Sequence, residues 1–173
     1  LQLNGHALSA ENLNLSVSGT TPLDEGKLSL TQGILSFTHP LTANSALQVN
    51  NGTLILEGGA NADNLSLALS ATVLQLSGDL SLGSGEFQLD NASVLELQGD
   101  TILSRNGEFN LPDLRLGGHA LSLATSVTEL VVRGSLSIAD NESLDSDNAT
   151  LRLNSGGSVT GTRTSHGTRR RRP

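Results

Sequence analysis

The chain has 173 residues, enough for one domain with a sizeable core, and holds no run of about 18 apolar residues that could cross a bilayer as a helix. Cys, Met, Trp and Tyr are absent and there are only three Phe, which excludes a disulfide framework and a core built on large aromatic anchors. Net charge is −7, yet Arg163 and Arg169 to Arg172 lie in an acid-free tail; residues 1–162 set five basic residues against all seventeen acidic ones, a net −12 that disfavours nucleic acid and anionic membranes as partners.

Leu1-Gln2-Leu3 already reads as strand, with no initiator Met or signal peptide before it, so the chain is expected to be a segment of something longer. Leu13 to Val17 continue the pattern, and Thr20-Thr21-Pro22 breaks it. Residues 28–56 form the reference block. Leu28-Ser29-Leu30 is followed seven residues on by Leu35-Ser36-Phe37, and Leu47-Gln48-Val49 is followed in the same way by Leu54-Ile55-Leu56. Further copies run through Leu65 to Leu69, Val73 to Leu76, Leu80 to Leu82, Phe87 to Leu89, Leu95 to Leu97, Ile102-Leu103, Leu114 to Leu116, Leu121 to Leu123, Leu130 to Val132, Leu136 to Ile138 and Leu151 to Leu153.

Apolar–polar–apolar triplets with Ser, Gln, Glu or Arg in the middle follow the two-residue period of a strand, with the outer pair facing in. Gly, Asn, Asp and Ser cluster between them, where tight turns are made. Triplets this short suit the rungs of a parallel coil, in which each turn stacks about 4.8 Å above the last and leucines pile into columns. The expected fold is therefore all-β, a right-handed parallel β-helix (β-solenoid) over residues 1–160. It should have about eight to nine coils of roughly 14–19 residues, giving a rod of about 40 Å. Residues 161–173 are expected to form a disordered basic tail. An antiparallel sandwich or meander is the competing fold, because a seven-residue step suits hairpins too.

The runs LSLTQGILSF, ALQVNNGTLIL and LSLGSGEFQL, poor in aromatics and rich in Asn, Gly, Ser and Thr, resemble the passenger regions of bacterial exoproteins. The likeness is to filamentous haemagglutinin-like adhesins and autotransporter passengers. It implies a β-helix secreted or displayed at the bacterial cell surface and used for adhesion, with host or neighbouring-cell surfaces, glycans among them, and adjoining coils of a parent chain as partners.

Chemistry is sparse. Gly58 to Ser66 is similar to the calcium-binding nonapeptide of repeats-in-toxin proteins, and Asp63 is its carboxylate. Asp140, Glu142, Asp145 and Asp147 crowd a second loop with the oxygens that hard cations favour. These five residues are the metal candidates, and calcium the one candidate cofactor. A plain turn at the first loop and a solvated acidic loop at the second are the competing readings. His6, His39, His119 and His166 stand apart with no second ligand at metal spacing, and His6 and His119 share the context Gly-His-Ala-Leu-Ser. Asp79 and Asp100 occupy similar places in neighbouring repeats, with Glu96 on a strand nearby, and could form a glycosidase-like pair. The pattern turns all three Phe inward, leaving no aromatic for a sugar ring to stack on. No catalytic or cofactor-binding residue is assigned. The expected function is a non-enzymatic adhesin or stalk segment; a self-assembling structural rod and a carbohydrate-active β-helix enzyme are the alternatives.

Overall fold

The computed structural model describes residues 6–17, 27–39, 41, 46–61 and 65–154 in full, and 159–160 in backbone. Asp63, His166 and the basic tail lie outside the described residues.

Three long strands come first: β1 (Ala7–Val17), β2 (Lys27–Phe37) and β3 (Ala46–Leu56). Shorter ones follow turn by turn. They are β4 (Ala60–Asn61); β5 (Ser66–Ser70), β6 (Val73–Leu76) and β7 (Leu80–Ser81); β8 (Phe87–Leu89), β9 (Val94–Leu97) and β10 (Thr101–Ser104). The remainder are β11 (Gly107–Leu111), β12 (Asp113–Arg115) and β13 (Ala120–Leu123); β14 (Val127–Val132), β15 (Leu136–Ser137) and β16 (Ser143–Asp145); then β17 (Thr150–Leu153) and β18 (Val159–Thr160). Every strand pair among the described residues is parallel, which rules out the sandwich and the meander.

The ladders lie on three sides. The first side takes the leading halves of β1, β2 and β3, then β5 and β8, and after an interruption β11, β14 and β17. The second takes the trailing halves of β1 to β3, then β6, β9, β12, β15 and β18. The third runs from Leu41, through its bridge to Ala60, along β4, β7, β10, β13 and β16. Six turns thus have all three sides among the described residues, with a two-sided rung at either end.

The expected β-solenoid is the fold observed, but the turn is longer and the turns fewer than expected. Leu28 pairs Leu47 nineteen residues on, and Leu80 pairs Leu103 twenty-three residues on. The seven-residue step carries the chain from one side to the next. The triplets at 80–82 and 87–89, for example, end one turn and begin the next.

Inward columns hold the rungs together. Leu54, Leu74 and Leu95 stack in register on the second side with 0 % of their surface exposed. Burial of one such side chain contributes about 1.5–3 kcal/mol. All three Phe point inward, as the alternation requires.

The corner between the first and second sides repeats a left-handed residue once per rung: Asn12, Gln32, Asn51 and Ala71, with φ between 46° and 59°. Beside it, a Cβ on Gly33 would strike the Leu13 carbonyl of the rung below, so only glycine lets the backbones stack there.

One rung breaks this corner's hydrogen bonding and repairs it. Asp90, Arg133 and Asn154 each donate a backbone N–H to the preceding rung, at Leu69, Leu111 and Val132. The equivalent residue after Leu111 is Pro112, which has no N–H to offer Leu89. The Arg133 guanidinium reaches past Pro112 and donates to the Leu89 carbonyl instead.

Two measurements check this account. Denaturant unfolding of Leu74→Ala should show a loss of about 2–5 kcal/mol, while Ile102→Ala, on the outer face with 45 % of its surface exposed, stays within about 0.5 kcal/mol. In a double-mutant cycle, Arg133→Leu should cost about 1 kcal/mol more beside Pro112 than in a Pro112→Ala background, where the backbone donor is restored.

Candidate functional site

The outward middle positions form rows. On the first side Ser9, Ser29, Gln48, Ala68 and Gln88 follow one another rung by rung, and beside them run Glu11, Thr31, Asn50 and Ser70. Asp90 completes the second row, its carboxylate 2.6 Å from the Ser70 hydroxyl that donates to it. Two shallow depressions lie over these rows, with volumes of about 460 and 320 Å³. Both are lined by Gln48 and Asn50, so they join into one polar trough over five rungs. Ala68, small between Gln48 and Gln88, deepens it.

Asp90 is the most elaborately held group on this surface. The Ser70 hydroxyl foremost, then the Ser93 hydroxyl and the N–H groups of Ala71 and Ala92, bring its pKa down from 3.8 to about 2 against the opposing effect of burial. Ser93 is itself buried, and its Oγ accepts the Thr72 N–H. Thr72, also buried, donates to the Val49 carbonyl one rung back. The corner is a polar staple across three turns. Sequence reasoning passed over Asp90. The Asp-Asn-Ala-Ser run at 90–93 was the available signal, since an Asp bonding to the N–H two residues on is an Asx-turn.

The carboxylates singled out as an acid/base pair sit at the start of third-side strands in successive turns but out of register, since the pairing of Leu80 with Leu103 sets Asp79 opposite Ile102 and not Asp100. Asp79 precedes β7 and Asp100 precedes β10 in successive turns, and each accepts a backbone N–H from the next rung, Ile102 and Ala120, at 2.9 Å. Asp113 does the same for Ser135 at 2.8 Å. Glu96 lies on the second side, where its carboxylate accepts from the Gln98 amide. What Asp79 and Asp100 do in this geometry is tie turn to turn.

The acidic loop has comparable internal work. Glu142 accepts from the Gly118 and Ala139 N–H groups, and Asp145 from that of Asp147. Among the described residues no three His, Asp or Glu side chains, Asp140, Glu142, Asp145 and Asp147 included, come together as a metal-binding group. His119 sits 3.8 Å from Asp100 and His39 bonds Thr38. The shared Gly-His-Ala-Leu-Ser context does not mark equivalent places: His6 precedes β1 on the first side and His119 precedes β13 on the third.

No helix among the described residues is long and apolar enough to cross a membrane. Comparison with family models, curated proteins and solved structures found no match to this chain.

The Asp90 staple has a pH signature. Because the folded pKa is depressed, its contribution to stability is fully present above about pH 4 and is lost as pH falls through about 2. Asp90→Asn should therefore be less stable than the parent at pH 7, with the difference closing by pH 2 in a series of denaturant titrations.

Proposed function

We propose that this chain is a non-enzymatic solenoid segment of a secreted or surface-displayed bacterial adhesin or stalk, similar in role to filamentous haemagglutinin-like and autotransporter passengers. The observation that carries the reading is the polar trough along the first side: amides, hydroxyls and carboxylates recur at every rung across five turns and converge on no single deep pocket. Such a surface suits many weak contacts in series with a host or neighbouring-cell surface, where repetition multiplies a small affinity. Side-chain amides both donate and accept, so Gln48, Asn50 and Gln88 can match sugar hydroxyls in either orientation. The net −12 of residues 1–162 directs contact toward neutral or cationic glycans rather than acidic ones.

A glycan array and a cell-adhesion assay test the proposal. The chain should bind neutral or amino-sugar polysaccharides with weak, multivalent affinity. Gln48→Ala with Gln88→Ala should lower that binding several-fold and leave the unfolding midpoint unchanged. A blank array together with no cell binding rejects the adhesin reading. Release of reducing sugar, abolished by Asp79→Asn and Asp100→Asn in variants that still fold, would replace it with an enzymatic one.

A further inference from the structure

The outward positions of the second side differ in character from those of the first. Where the first side carries Ser, Gln, Glu and Asn, one second-side row runs Asn14, Ile34, Thr53, Val73, Val94 and Asp113, one residue per rung. Beside it run Ser16, Ser36, Ile55, Gln75, Glu96 and Arg115. Ile34, Thr53, Val73 and Val94, with Ile55 at their flank, therefore make a stripe of β-branched side chains across four rungs. Ile34 is 39 % exposed and the other four are half-buried. Ile34, Ile55, Val73 and Val94 take no part in the core. A contiguous apolar stripe on an outer face marks an interaction surface.

Polar residues close the stripe at both ends, and its order reads alike in both directions. A two-fold axis along the strands, passing between the Thr53 and Val73 rungs, brings two such faces together with the rods antiparallel. Ile34 then meets Val94 of the second copy, Thr53 meets Val73, and Ile55 lies against Gln75. The three charged groups of the face, Glu96, Asp113 and Arg115, meet Ser36, Asn14 and Ser16, so no like charges are opposed. Within its own chain Asn14 Oδ1 accepts the Ile34 N–H at 3.0 Å, and Asp113 Oδ1 accepts that of Ser135 at 2.8 Å. The Asn14 amide nitrogen can therefore donate to the second Asp113 oxygen of the other copy, once at each end of the contact. Packing the rods parallel would either lay Ile34 on Ser36, Val73 on Gln75 and Val94 on Glu96, or oppose Asp113 to its own counterpart.

We propose that this face binds a second copy of the chain, the two second sides packed together with the rods antiparallel. Six rungs of about 4.8 Å and a strand width of about 13 Å give a face of about 400 Å² per copy, roughly half that of a standard stable interface, so the dimer is a weak one. The contact is isologous and closes at two copies. It uses no strand edge, and it does not rest on the adhesin reading.

Sedimentation equilibrium of the full chain between about 10 μM and about 1 mM should show monomer passing to dimer and no larger species. Val73→Lys, at the centre of the stripe, should remain monomeric throughout with an unchanged circular dichroism spectrum. Gln48→Lys, the same charge placed on the first side, should dimerise as the parent does. Asn14→Asp keeps an acceptor for the Ile34 N–H but opposes two carboxylates at each end, and should weaken dimerisation several-fold. Adding Asp113→Asn exchanges the two partners and should restore the parent's affinity, a rescue that a folding defect could not give. A parent chain that stays monomeric at the highest concentration overturns the proposal. So does assembly past the dimer, a Val73→Lys variant that associates, or a Gln48→Lys variant that does not. An Asn14→Asp variant that loses nothing, or whose loss Asp113→Asn leaves unrepaired, overturns the antiparallel register and the proposal with it.

Discussion

Backbone hydrogen bonds running along the axis, from each rung to the next, are the constraint on which everything else in this protein depends. They hold parallel strands in register, and register in turn decides which side chains stack on which. An in-register column tolerates only one kind of neighbour on its inner face, because a slip of one residue would turn every leucine outward. The leucine-rich composition and the absence of Trp and Tyr follow from the same requirement: columns need residues of one size repeated, not a few large anchors. Two of the three Phe, Phe87 and Phe109, come as neighbours in space and fit each other edge to face at 5.5 Å.

The corners obey the same rule by other means. A backbone group facing the axis at a corner needs a partner in the adjacent turn, and where the main chain fails to provide one a side chain does. Arg133 substitutes for the donor missing at Pro112, Asp79 and Asp100 accept from Ile102 and Ala120, and Asn14 accepts from Ile34. Polar residues that looked like candidate chemistry thus have structural employment. On the first side the outward row of Ser9, Ser29, Gln48 and Gln88 lies away from these corner bonds, which is why the proposed function rests on the rows there and not on any carboxylate pair.

Much of the fold was legible because leucines at alternate positions in 28–37 and 47–56 mark strands with one buried face, and the inner faces of β2 and β3 are the residues that pattern picks out. The start of the third side was not: the single bridging residue Leu41 and the two-residue strands at Ala60–Asn61 and Leu80–Ser81 are too short to carry a period, whereas Thr101–Ser104 and Ala120–Leu123 further along the same side are longer, so the length of the turn could not be read from the spacing alone. At the candidate site the placement of Asp79 and Asp100 could be read from their Gly-Asp contexts, but their partners, twenty-three and twenty residues on, could not. Asp90 was hidden for a related reason: Ser70 and Ala71 belong to another turn, and serines are too common here for one to stand out.

The interruption between β8 and β11 gives the rod a seam. Through it the second side stays continuous by way of β9 and β12 and the third by way of β10 and β13, while the first side substitutes two phenylalanine rings and the Arg105 guanidinium, 5.5 Å from the Phe109 ring centre, for a backbone ladder. Two walls of the tube are zipped there and the third is only buttoned. Twist or tension along the axis will therefore concentrate at that wall, and the molecule will yield as two blocks of turns hinged on the intact sides before either block unravels.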